Sequence, residues 1–187
     1  MIVLIGGGGA GKTTIVNELV KKGYENEIFY TTRVKRIGEK NMVDHIFIDK
    51  QKFEQMRENS EFIAITNVSG NWYGMHKNFK NNCIIISNID MVEQLKKNTK
   101  ELILVIYIKT SEKQREERMR KRGDNNNIIH EKLNISRIYE KKEIQYSDYI
   151  ICNNDLLETV NKVEKIIKSM GMKFDKIDNN NDVELAH

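Results

Sequence analysis

The chain has 187 residues, 39% of them hydrophobic and 31% charged, with a formal net charge of +4. These totals suit one globular domain with its own core, and no apolar run approaches the roughly 20 residues of a membrane-spanning helix, so no membrane partner is expected. Lysines and glutamates alternate instead of forming a basic tail, and no aromatic stripe accompanies them, so nucleic acid is not an expected partner either.

The apolar run 1–5 has no basic region ahead of it and no cleavage site, so it reads as a strand and not as a secretion signal. Gly6-Gly7-Gly8-Gly9-Ala10-Gly11-Lys12-Thr13 follows at once, and a helical pattern over 12–22 places Ile15, Val16, Leu19 and Val20 on the core side. This is G-x-x-x-x-G-K-[ST] between a strand and a helix, the context that wraps a phosphate. The glycines let backbone N–H groups turn inward, and the helix N-terminus adds partial positive charge. Gly6, Gly9, Ala10, Gly11, Lys12, Thr13 and Thr14 are therefore the expected binding residues for ATP, with Lys12 on the β- and γ-phosphates and the Thr13 hydroxyl on Mg²⁺.

A strand is expected near 28–31, followed by the basic run Thr31-Thr32-Arg33-Val34-Lys35-Arg36. From 33 to 80 the βα rhythm gives way to short antiparallel strands at 43–48, 62–68 and 72–73, with a small helix at 51–57. The rhythm resumes with a strand at 83–86, a helix at 91–97, a central strand at 102–108 and a highly charged helix at 111–122. Arg115, Arg118 and Arg122 fall along one face of that helix, where either a solvated salt-bridged surface or a phosphate-facing lid would place them. A Gly-Asp-Asn loop, a long helix at 128–146, a strand at 149–152 and a last amphipathic helix carrying Val160, Val163 and Ile167 complete the pattern. Asp90, just past the strand at 83–86, can cap a helix or help organise Mg²⁺. His130 and His187 read as solvated, and Cys83 and Cys152 as buried thiols of a reducing compartment, which makes the cytoplasm the expected location. The alternation predicts an α/β fold of the P-loop NTPase type, a parallel sheet flanked by helices.

Taken in order, these segments resemble the guanylate kinase family. They are the phosphate loop, T-T-R-x-x-R at 31–36, V-D-x-x-F at 43–47, and Glu61-Phe62 with Gly70-Asn71-Trp72-Tyr73-Gly74. Asn88-Ile89-Asp90, Ser111-Glu112 with Arg118, Arg122 and Gly123, and the run from Asp148 to Leu156 complete the set. The resemblance spans residues 1–170 and implies one domain. Its core would be 1–32, 81–112 and 138–170, its β-rich acceptor-binding insert 33–80 and its helical lid 113–137, with a frayed polar tail at 171–187. It also implies a monomer or homodimer that moves the γ-phosphoryl group of ATP to the phosphate of a nucleoside monophosphate such as GMP. Arg33, Arg36 and Tyr73 fall on residues that grip the acceptor phosphate. Arg118 and Arg122 fall on lid arginines near the triphosphate, and Asp90 on an acidic position beside the transfer site. His45 replaces a phosphate-binding tyrosine, and Lys132 a third lid arginine.

The guanine pocket departs from the pattern. Phe29 and Met75 replace small hydroxyl residues, Ala64 replaces the base-reading glutamate and Asn88 an aspartate. Buried base-edge groups without partners would cost guanine selectivity. On the residues alone, a ribose 1,5-bisphosphate phosphokinase, a kinase for another nucleotide and a non-catalytic binding module stay open beside the guanylate kinase reading.

Overall fold

A computed structural model describes residues 1–80 and 82–171. The frayed tail expected beyond Gly171 and the C-terminal His187 lie outside the described residues. Two four-stranded sheets form the framework. The first has the order β6-β1-β7-β8, with β1 at Ile2–Ile5, β6 at Ile84–Ile86, β7 at Leu104–Lys109 and β8 at Tyr149–Cys152, and every pairing in it is parallel. Strands buried on both faces need apolar residues at every position, and β1 shows this directly. Ile2 and Leu4 join one core with α1 (Lys12–Lys21) and α6 (Leu156–Ser169), whereas Val3 and Ile5 join another with α3 (Ile89–Asn98). Strand β7 alternates in the same way.

The second sheet, β3-β2-β5-β4, comprises β2 at Tyr30–Thr31, β3 at Ile46–Phe47, β4 at Phe62–Val68 and β5 at Asn71–His76. Helix α2 (Lys50–Glu58) starts on Asp49, whose side chain accepts from Lys52 N. Strands β4 and β5 form the expected antiparallel hairpin, but β3 runs parallel to β2, contrary to the all-antiparallel expectation. A local sequence pattern carries no information on strand direction, which depends on how the 32–45 connection returns.

The second core ties the sheets together: Ala64 and Met75 from the second sheet pack with Met91, Val92 and Leu95 of α3 and with Val3 and Val105 of the first sheet. Two other expectations need correction. Cys152 is exposed, because β8 is an edge strand and Cys152 alternates with the buried Ile151, and Val20 is 39% exposed on the outer flank of α1. Helices α4 (Glu112–Lys121) and α5 (Asn126–Gln145) pack together through Met119, Ile129 and Leu133.

Candidate active site

The loops that leave the C-terminal ends of β1, β6, β7 and β8 converge, as open parallel sheets favour for ligand sites. The loop after β1 is held in shape by its own backbone: Ala10 N donates to Gly7 O at 3.1 Å. Gly11 adopts φ 95° as the N-cap of α1, in left-handed space that a side chain would strain. Helix α1 has no side-chain cap, so its first N–H groups stay open. The Ala10 carbonyl is the loop's anchor. It accepts from Thr110 Oγ1 at 3.2 Å, Arg118 Nη1 at 3.3 Å and Asn153 Nδ2 at 2.7 Å.

Lys12 folds back on the loop, donating from Nζ to Gly6 O at 2.5 Å and Gly7 O at 3.0 Å. Burial pulls its pKa down to about 8. Arg115, Arg122 and Lys132 push the same way, and Glu143 offsets them. Thr13 and Thr14 open α1 and are exposed.

A cavity of about 330 Å³ lies beside the loop. Thr13, Arg33, Arg36, His45, Tyr73 and Asn88 all line it, so six of the expected binding residues meet in one space. Arg33 is fixed from three sides: its Nη2 donates to Glu39 Oε1 at 2.8 Å, its Nε to the Tyr73 hydroxyl at 3.2 Å, and its guanidinium lies 5.6 Å from the centre of the Phe47 ring. Glu39 also accepts from Arg36 N at 2.8 Å and shapes the turn between the two arginines. The His45 ring meets Tyr73 edge-on at 5.8 Å, and desolvation and the Arg33 charge lower its pKa. Asn88 caps α3, accepting from Met91 N at 3.1 Å, and donates to Thr66 Oγ1 at 2.9 Å.

The four residues expected at the transfer step, Lys12, Arg118, Arg122 and Asp90, lie off the cavity wall. Lys12 and Arg118 sit on the phosphate loop; Arg118 also donates to Asn153 O at 3.1 Å. Arg122 turns toward Asp124, with Nη2 2.6 Å from Oδ2, and Lys132 reaches the same oxygen at 2.7 Å. Asp90 is exposed in the first turn of α3. Arg122 and Lys132 are near enough to Arg36 that their charges act on one another, which brings the helical pair α4–α5 to the cavity's edge.

Among the described residues, three buried side-chain atoms lack a hydrogen-bond partner: His45 Nδ1, Ser87 Oγ and Arg115 Nη1. His45 and Ser87 line the cavity, and Arg115 presses on the phosphate loop. Unpaired buried polar groups are costly, and two of these three belong to the cavity wall, which makes the cavity a candidate ligand site.

The family model for guanylate kinase matches residues 1–170. The chain belongs to the guanylate kinase family. It is 36% identical to a guanylate kinase of Carboxydothermus hydrogenoformans, over 92% of this chain and 89% of that one. With a guanylate kinase of Clostridioides difficile the identity is 31%, covering 96% and 92%. The crystal structure of a guanylate kinase from Anaplasma phagocytophilum superposes with a TM-score of 0.71 at 25% identity, covering 92% of this chain and 86% of that one. A shikimate kinase from Acinetobacter baumannii, at 17% identity and a TM-score of 0.52, shares the fold.

Sequence reasoning missed Glu39, Thr110, Asn153 and Glu143. Glu39 follows a basic run that no motif extends to, Asn153 lies in the run 148–156 that carries the resemblance but receives no role there, and Glu143 looks like one more charge on a polar helix. The pocket substitutions have a structural account: Phe29 is 5% exposed, Ala64 2% and Met75 0%, and all three belong to the second core. Phe29 also borders the cavity.

Proposed function

We propose that this member of the guanylate kinase family transfers the γ-phosphoryl group of ATP to the phosphate of GMP, with the phosphate loop as donor site and the adjoining cavity as acceptor site. The observation that carries it is the meeting of Arg33, Arg36, His45 and Tyr73 in one cavity bordered by Thr13 of the loop. Two adjacent anion sites are what transfer between two phosphates requires. The near full-length likeness to guanylate kinases favours GMP over a ribose bisphosphate or another nucleotide, and the intact Lys12 and Thr13 favour an enzyme over a binding module.

Arg33, preset by Glu39 and Tyr73, and Arg36 hold the acceptor phosphate, with His45 beside them. Lys12 leaves the Gly6 and Gly7 carbonyls to meet the triphosphate. Thr13 and the open N-terminus of α1 face the same group, and Arg118 and Arg122 belong to a lid over it. Asp90 stands beside the transfer site. An acceptor oxygen attacks the γ-phosphorus in line, and the bond to the β-phosphate oxygen breaks, leaving ADP and GDP. No general base is needed, because the attacking phosphate oxygen is already anionic at neutral pH. Catalysis is then positioning and charge stabilisation. No cluster of three His, Cys, Asp or Glu residues suited to a metal occurs among the described residues, so Mg²⁺ would be held by the Thr13 hydroxyl together with phosphate oxygens. When bound, it supplies neutralisation of charge on the β- and γ-oxygens. For the base, Ser87 Oγ and the Asn88–Thr66 pair are among the polar groups on the cavity wall, with Asn17, Asn26, Glu27 and Asp44.

The test is coupled ADP release with Mg·ATP against GMP, dGMP, AMP, CMP, UMP, dTMP and ribose 1,5-bisphosphate. GMP and dGMP are expected to be turned over well above the rest. Intact ATP binding with no GMP turnover would overturn the acceptor assignment.

A further inference from the structure

Arg115 has no part in the mechanism above. It projects from α4 toward the phosphate loop and is 6% exposed. Its Nη1 has no hydrogen-bond partner among the described residues. The carboxylate that faces it along its own helix, Glu112 three residues earlier, is engaged with Arg137.

The loop is built around this side chain. A Cβ placed on Gly7 would fall 2.1 Å from Arg115 Nη1, and one placed on Gly9 would fall 2.6 Å from the Arg115 carbonyl oxygen. Gly7 has no left-handed φ to justify a glycine. Its missing side chain leaves the space that the guanidinium fills.

The surrounding charge is unbalanced. Arg115, Arg122 and Lys132 all act on Lys12, and Glu143 is the carboxylate that opposes them. Asp124 pairs with Arg122 and Lys132, and no such pair answers Arg115. Glu143 acts on Arg115 as well as on Lys12, but no ion pair joins it to Arg115 among the described residues, so a desolvated guanidinium keeps an idle donor among three other cations and against a phosphate loop, a setting that favours a further anion. Arginine is the side chain best matched to phosphate oxygens.

We propose that Arg115 is a further triphosphate-binding residue, whose Nη1–H donates to a phosphate oxygen of ATP held in the loop at residues 6–13. The assignment rests on reading that loop as the ATP site. It differs from Arg118, whose Nη1 and Nη2 are already spent on the Ala10 and Asn153 carbonyls and brace the loop.

The experiment is calorimetric titration of Arg115→Met and Arg115→Lys with Mg·ATP and with inorganic tripolyphosphate, both without acceptor. Thermal unfolding and the KM for GMP are measured alongside. Loss of one charge-assisted hydrogen bond should weaken both ligands about tenfold in Arg115→Met. Arg115→Lys should recover part of that loss, and the KM for GMP should stay within about twofold. Binding of both ligands within about twofold of wild type, with or without a drop in melting temperature, would overturn the proposal and leave Arg115 a packing residue. If Arg115→Met does not fold, Arg115→Lys decides: about threefold or more lost for tripolyphosphate supports the contact, and less overturns it. Wild-type protein that binds ATP but leaves GMP untouched would sink the acceptor reading alone. Wild-type protein that binds neither ATP nor tripolyphosphate would sink the phosphate-site reading and the role of Arg115 with it.

Discussion

Lys12 shows how one residue is stressed by its surroundings, through burial and three neighbouring cations. Its folded pKa of about 8 lies below the ordinary lysine value of 10.5, so folding is penalised while Lys12 is charged in both states. That penalty is complete below pH 8 and is relieved as pH rises from 8 toward 10.5, because there the unfolded chain binds the extra proton. Lys12→Met removes the charge, and is expected to raise the melting temperature while cutting kcat at least about 1,000-fold. Turnover within a few-fold of wild type would refute the role given to Lys12. In wild-type protein, kcat/KM for ATP should fall as pH rises through about 8, where free enzyme loses the proton that grips phosphate; a flat profile from pH 7 to 9 would contradict this.

At the scale of elements, the α4–α5 hairpin carries Arg118, Arg122 and Lys132, and is tied by Asp124 in its connecting turn and by the Glu112–Arg137 pair. Asp124 accepts from Arg122 and Lys132, and those hydrogen bonds hold its pKa far below the ordinary carboxylate range. A depressed carboxylate contributes stability that is present above its unfolded pKa and is lost as pH falls through the acid range. Its side chain is only 11% exposed, so the pair is shielded from full solvent screening. Asp124→Asn should lower unfolding free energy by about 1–3 kcal/mol in urea titration at pH 7, with ATP affinity no weaker because both cations are freed toward the phosphate side. Weaker ATP binding would mean instead that Asp124 orients the two cations for the ligand.

Across the whole molecule, the second core makes the two sheets one body. Met75 is fully buried between them, touching neither solvent nor the cavity wall. Met75→Ala should cost about 2–4 kcal/mol and keep a single cooperative transition, checked by comparing calorimetric and van't Hoff enthalpies. Two separated transitions would show that the sheets unfold independently. The exposed large apolar side chains Val34, Ile37, Met42 and Val43 cluster instead in the 32–45 connection, outside both cores.

The sequence alone determined the parallel α/β sheet, because a strand buried on both faces must be apolar at every position, and it determined the phosphate loop, because its backbone geometry demands those glycines at that spacing. It also singled out the arginines as candidates, while the roles proposed for them come from the resemblance of the segments that carry them to one family. Only tertiary structure decided what surrounds them. The parallel direction of β3, the exposure of Cys152, the bracing of Arg33 by Glu39 and the burial of Arg115 beneath Gly7 all depend on contacts between residues 6 to about 110 positions apart. Helical periodicity placed Arg115, Arg118 and Arg122 on one face. It could not show that the first fills a gap in the loop, the second braces a carbonyl and the third pairs with Asp124, since each outcome is set by the partner that folding brings to it.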